Sequence, residues 1–197
     1  MRTILRRGFV AFVLAALAAC GRGEPQFRAT DITGAQFGRS FELTDHTGKT
    51  RRLADFRGKV VVLFFGYTHC PDLCPTTLAE LAAALRKLGP DQAQHVQVLL
   101  ATVDPERDTR EVLRGYVTAF DPNFLGLTGS AQQIAAATKE FKVIYQKAPG
   151  SQAGSYTMDH SAGTYIFDAQ GRLRLFVSYG QGADVFAHDI RELLKAG

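Results

Sequence analysis

Between Lys59 and Leu88 the sequence sets a short buried strand against a helix and places two thiols at the junction. The run Lys59-Val-Val-Val-Leu-Phe-Phe-Gly66 is apolar and β-branched, as expected of a strand inside a sheet. From Thr76 to Leu88, Leu78, Leu81, Leu85 and Leu88 recur at helical spacing. Tyr67-Thr-His-Cys-Pro-Asp-Leu-Cys-Pro-Thr-Thr77 lies between them, so Cys70 and Cys74 fall on the turn and the first helical turn. A spacing of four brings both side chains to one helix face, where unpaired N–H groups and the positive dipole end favour thiolate over thiol. Two sulfurs so placed make a metal or redox site. The alternative, an apolar cysteine pair without chemistry, fits poorly with the flanking prolines and the strand-end position.

A chain of 197 residues suits one domain with an ample core and a processed leader. Its 46% hydrophobic and 21% charged content excludes a disordered or collagen-like chain. Arg2, Arg6 and Arg7 precede the apolar run Phe9 to Ala19, which is short for a bilayer span and suits a secretory signal. That run ends in Leu17-Ala-Ala-Cys20-Gly21, which resembles the bacterial lipoprotein signal. Residues 1–19 are therefore expected to be a signal peptide, with Cys20 lipidated as the membrane anchor. An uncleaved signal anchor with an incidental cysteine is the other reading. Both put the folded part in the bacterial cell envelope, facing the periplasm or the outside of the cytoplasmic membrane. Without the leader's three arginines the formal net charge falls from +4 to +1, and no dense basic block remains for nucleic acid.

The polar stretch Gly21 to Gly38 has little periodicity and reads as a flexible tether, so the division is 1–19, 20–38 and a domain over 39–197. Residues 40–53 alternate around a Thr47-Gly48 turn and read as a β-hairpin. A strand over Val96 to Val103, helices over Arg110 to Phe120 and Gln132 to Phe141, and a strand over Val143 to Tyr145 follow. Gly163 to Asp168 and Leu173 to Tyr179 form a late hairpin, closed by an amphipathic helix over Val185 to Leu194. The result is a thioredoxin-like α/β fold: a central mixed sheet flanked by helices, extended at its N-terminus by a β-hairpin.

Sites in such sheets form at the carboxyl ends of parallel strands, which brings Cys70 and Cys74, Asp104-Pro105 and Tyr156-Thr-Met-Asp-His160 to one end. His160 is the natural third ligand, since two thiolates and an imidazole make a soft three-coordinate site that suits copper better than structural zinc. His69 is expected to point away, and His46, His95 and His188 to be solvated. Met158 reads as core or rim rather than as a thioether ligand. Asp72 could cap the helix or bond a sulfur, and Asp159 could orient His160. Asp104-Pro-Glu-Arg-Asp108 reads either as a strand exit and helix N-cap with an internal ion pair, or as a wall that positions the cysteine loop. Thr47-Gly-Lys-Thr50 lacks the earlier glycine of a phosphate loop, so nucleotide binding is rejected.

Cys70-Pro-Asp-Leu-Cys-Pro75, Val103-Asp-Pro-Glu-Arg-Asp-Thr109 and Asp159-His-Ser161 together resemble the Sco/SenC family of copper proteins for cytochrome c oxidase assembly, over about Phe37 to Leu194. The resemblance implies that Cys70, Cys74 and His160 bind one copper ion, as Cu(I) or Cu(II). It also implies a role in metallating the dinuclear copper centre of the oxidase, with a thiol-reductant role in some members. A lipid anchor would depart from the transmembrane helix common in the family. The expected function is a monomeric, membrane-tethered copper chaperone whose partners are the oxidase's copper-bearing subunit and other periplasmic copper carriers or thiol reductants. Two enzyme readings stand beside it: a thiol-disulfide oxidoreductase using Cys70 and Cys74 as the redox pair, and a peroxidase. Against the first, the cysteine spacing exceeds C-x-x-C and no proline follows Pro149.

Overall fold

The computed structural model describes residues 25–150 and 154–196; the signal peptide and Cys20 readings fall outside them. The centre is built on β4 (Val60–Gly66) and β5 (Val96–Thr102), both buried along their whole length. They run parallel in register from Val60 opposite Val96 to Gly66 opposite Thr102. α1 (Leu73–Leu88) joins them, and α2 (Arg110–Thr118) leads from β5 to a third parallel strand, β6 (Leu125–Thr128). Parallel neighbours need such crossovers, and burial on both faces is why these strands carry uninterrupted apolar runs.

On the other edge of β4, β9 (Gly163–Phe167) pairs antiparallel to it and, with β10 (Leu173–Ser178) antiparallel to β9, forms the late hairpin. The early hairpin, β2 (Glu42–Asp45) and β3 (Thr50–Arg52), extends the sheet beyond β6. With β1 (Thr30–Asp31) beside β10, the order is β1-β10-β9-β4-β5-β6-β2-β3. α3 (Ala131–Glu140) and α4 (Ala183–Ala196) are the other helices of more than four residues among those described, with α4 packed on α1. This is the mixed sheet flanked by helices that the sequence leads one to expect. No helix among the described residues is long and apolar enough to cross a membrane.

Three local expectations need correction. Residues 27–38 are not a loose tether: β1 pairs with β10, and Phe27, Ala29, Ile32 and Phe37 pack against the core. Their apolar residues are too few and too irregular to show a period, yet they cover the sheet edge. β6 was not anticipated, because Leu125-Gly-Leu-Thr128 followed by Gly129-Ser130 looks like a turn. Gly126 is there for packing, since a Cβ would stand 2.8 Å from the Cβ of Leu113 on α2. Val143 is not in a strand; Phe141 is buried, Lys142 takes a left-handed φ of 55°, and the chain enters β7 (Tyr145–Pro149). β7 pairs with β8 (Tyr156–His160) in a ribbon separate from the main sheet.

The ribbon starts from a firm base. Phe141 packs against Phe65 and Tyr165 at centroid distances of 5.3 Å each, and the Tyr165 hydroxyl donates to the Phe141 carbonyl at 2.7 Å. Tilted and edge-on aromatic contacts of this kind add to the burial of the rings themselves.

Two buried carboxylates fix the N-terminal additions. Asp189 on α4 accepts the N–H groups of Arg28 (2.9 Å) and Ala29 (2.8 Å). Asp45 closes the β2–β3 turn, accepting from the Thr47 N–H and hydroxyl, the Lys49 N–H and Arg51 Nε at 2.6 to 3.1 Å. Burial alone would raise the Asp45 carboxyl, but the bonds from Thr47, Arg51 and Lys49 outweigh it and hold it at about 2, below its ordinary 3.8.

Asp189→Ala should leave the Arg28 and Ala29 N–H groups without their carboxylate partner, lower stability by about 1–3 kcal/mol and expose the chain near Arg28 to trypsin, as checked by thermal unfolding and limited proteolysis. For Asp45, a folded value below the unfolded one means that its contribution is complete above pH 3.8 and fades as pH falls towards about 2. Urea-unfolding midpoints of the wild type should therefore drop across that window more steeply than those of Asp45→Asn; parallel curves would show that the carboxylate contributes nothing.

Candidate metal centre

β4 ends at Gly66, and the chain turns through Tyr67, Thr68 and His69 to Cys70, whose N–H meets the Tyr67 carbonyl at 3.3 Å. Cys74 is the second residue of α1, and Pro75 after it lacks an N–H where a first turn has no helical partner for one. The Cys74 N–H points instead at the Cys70 sulfur, 3.4 Å away. Gly66 makes room for this packing, because a Cβ there would stand 2.6 Å from Cys74 Sγ. Cys74 is wholly buried, whereas Cys70 keeps 9% exposure at the rim of a concave surface that His160 and Met158 also line.

His160 ends β8 opposite Tyr145. Its Nδ1 lies 3.1 Å from the Ser161 carbonyl, which can only accept, so the ring carries its proton there and presents the Nε2 lone pair to Cys74 Sγ at 3.6 Å. Tyr67 meets the imidazole edge-on, with centroids 5.9 Å apart. The two sulfurs and one imidazole nitrogen all lie within 4.8 Å of one another. Donors binding one ion at about 2.0–2.3 Å stand roughly 4 Å apart, so the three can share a cation, and the soft S₂N set fits copper.

Neither thiol is bonded to the other as a disulfide. The Cys74 thiol donates to Cys70, which pulls the Cys70 thiol far below its usual range; burial opposes this, while the N–H groups of Cys74 and Asp72 assist. The same bond, with burial, pushes Cys74 up. The pair thus releases its first proton readily and holds its second, which a cation held by Cys70, Cys74 and His160 would displace. The buried Tyr116 hydroxyl has no hydrogen-bond partner among the described residues, and its phenol is pushed up, above all by burial.

Residues 104–108 serve both earlier readings. Asp104 and Arg107 form the internal ion pair, while the N-cap of α2 is Thr109 rather than Asp108. Asp108 is buried and accepts from the Thr68 N–H (3.1 Å), the Thr68 hydroxyl (2.6 Å) and the Thr102 hydroxyl (2.6 Å). It thereby ties the start of the cysteine loop to the end of β5. Burial raises its carboxyl despite these bonds, with the Asp104 charge adding to the effect. Asp104 accepts the Tyr156 hydroxyl at 2.9 Å and so reaches the base of β8.

The structure brings Cys70, Cys74 and His160 together, as their positions in the sequence suggest. The carboxylates are placed differently. Asp72 is exposed at the N-cap without a side-chain cap bond, taking only a 3.4 Å contact from the Thr76 hydroxyl; its backbone N–H is what assists Cys70. Asp159 is exposed, and the group that fixes the His160 ring is the Ser161 carbonyl. His69 is 55% exposed and bonds Thr68 Oγ1 at 3.1 Å, away from the sulfurs. His95 is exposed, but His46 and His188 are not simply solvated: His46 Nδ1 accepts the Gly126 N–H at 3.2 Å, and His188 Nδ1 meets Asp189 at 2.8 Å. Met158 is buried.

The sequence marks the segments that carry Gly66, Tyr67, Thr68, Tyr156 and Ser161 but not the roles of these residues at the site. A glycine closing an otherwise β-branched strand is a legible sign of close approach; the others act through contacts between segments far apart in sequence.

Comparison with known proteins agrees with this geometry. The SCO1/SenC family model matches residues 29–195. Protein SCO2 homolog, mitochondrial, from Bos taurus is 40% identical over 185 residues, 93% of this chain and 70% of that protein. ScoI from Bradyrhizobium japonicum, solved with copper bound, is 40% identical at a TM-score of 0.70, covering 81% of this chain and 99% of that one. A SCO1/SenC family lipoprotein from Bacillus anthracis str. Ames is 25% identical at a TM-score of 0.69, covering 86% and 99%. The match runs through both cysteines, the histidine and the sheet that gathers them, and the chain belongs to the SCO1/SenC family.

Proposed function

We propose that the protein is a membrane-tethered copper chaperone of the bacterial envelope. It would bind one copper ion through Cys70, Cys74 and His160 and deliver it to, or prepare, the dinuclear copper centre of cytochrome c oxidase. The observation that carries this is the convergence of two thiol sulfurs and an imidazole lone pair within 4.8 Å. A copper-bound relative at 40% identity supports the metal, and a lipoprotein relative supports anchoring through Cys20. The oxidase comes from the resemblance of the three motifs to the family.

The donors divide the work. Cys74, buried at the helix start, is the inner holder; Cys70 and His160 face the open concavity, where a thiolate or imidazole of the receiving protein can approach. Exchange then proceeds by one donor joining as another leaves, with no change in oxidation state. A second reading, reduction of the oxidase's cysteines, is favoured by the free thiol pair, whose outer member is partly accessible and readily ionised.

Single replacement of Cys70 or Cys74 by Ala should weaken Cu(I) binding by at least about 100-fold, or 2.8 kcal/mol, and His160→Ala by a smaller factor, each with loss of oxidase copper-centre assembly. Competition titration with a chromogenic chelator and oxidase activity in a complemented deletion strain measure both, and unchanged values in all three variants would refute the proposal. Gly66→Ala should displace Cys74 Sγ and weaken binding while both thiols still titrate with Ellman's reagent after unfolding. Rapid insulin reduction by copper-free protein would instead favour the reductase reading.

A further inference from the structure

On the basis of that copper reading, we infer that Arg107 is the positioning residue that holds His160 against the thiol pair, by clamping the β7–β8 ribbon onto the end of the main sheet. The ribbon pairs only with itself, and an isolated two-stranded hairpin is marginal in water, so its placement depends on side-chain contacts. Met158 supplies an apolar hold, but apolar burial has no direction and does not fix register.

Arg107 supplies direction. Its Nη1 donates to the Tyr156 carbonyl at 2.9 Å, and its guanidinium carbon lies 3.7 Å from the Tyr156 ring centroid, so one residue at the base of β8 is held by both backbone and side chain. The Tyr156 hydroxyl returns to Asp104, the ion-pair partner of Arg107, and closes the clamp. On its other side Arg107 lies 5.7 Å from the centroid of Tyr67, the ring that meets His160 edge-on. The guanidinium therefore reaches the imidazole by two routes, through β8 and through Tyr67. Its Nη2 is buried without a hydrogen-bond partner among the described residues, a cost to folding that points to a role in the site. The clamp leaves the sulfurs alone, because the cysteine loop is tied through Asp108 and Thr68 instead.

Arg107→Lys and Arg107→Met test the clamp. In copper-free protein, hydrogen exchange of the Thr157 to His160 amides should speed up by about tenfold or more in both variants while β4 and β5 keep wild-type protection. In Cu(I)-loaded protein, X-ray absorption should show both sulfurs retained and the nitrogen donor lost, with affinity reduced by about 10–100-fold. Wild-type protection of the ribbon together with wild-type coordination would overturn the inference. His160→Ala is measured alongside: if it leaves coordination unchanged, the ligand set of the proposed function is what fails, whereas an effect of His160→Ala without one of Arg107 condemns the clamp alone. Should both Arg107 variants fail to fold, Tyr156→Leu removes the ring and hydroxyl from the ribbon side and is judged by the same two readings.

Discussion

The Asp108 carboxylate is the joint on which the centre's spacing depends. A carboxylate withdrawn from water is costly unless its lone pairs are filled, and here three donors fill them: two from Thr68 at the start of the cysteine loop and one from Thr102 at the end of β5. The bonds work in both directions. They stabilise a buried acid, and they turn the loop after β4 into an extension of β5. Asp104 does the equivalent for the ribbon through Tyr156. One loop of five residues thus touches both halves of the donor set, although the halves lie 86 residues apart between Cys74 and His160.

What can be read from the sequence follows from how locally each feature is encoded. The strand, cysteine turn and helix over residues 59–88 are legible because burial pattern, helical period and proline placement lie in one contiguous stretch. The β2–β3 and β9–β10 hairpins carry their own turns, so they are legible too, unlike the β7–β8 ribbon. β6 is hidden because four residues with a glycine inside look like a turn, and only the approach of Leu113 explains that glycine. The N-terminal strap is hidden for a related reason: its partners are Asp189 and β10, distant in sequence, and its own residues show no period.

The same distinction runs through the site. The three donors are legible because thiol and imidazole are chemically specific residue types, few in this chain. The groups that orient them are generic: a backbone carbonyl at Ser161, an N–H at Asp72, the empty space at Gly66. Reading Asp72 and Asp159 as the orienting groups assigns to side chains what the backbone performs. A backbone group carries no residue identity, so nothing in the sequence marks it.

The donors also differ in how firmly they are held, and this bears on release. Both thiols sit at one helix terminus tied into the central strands, so withdrawing Cys74 would disturb Gly66 and the packing of β4. His160 comes from a ribbon outside the main sheet, and its withdrawal would break contacts at Tyr156 and Tyr67 while leaving the ladder from β9 to β6 intact. The three donors are therefore of unequal attachment, two fixed to the central strands and one to a ribbon beside them. The nitrogen is thus the donor least costly to displace structurally, and it lines the same concave surface as Cys70.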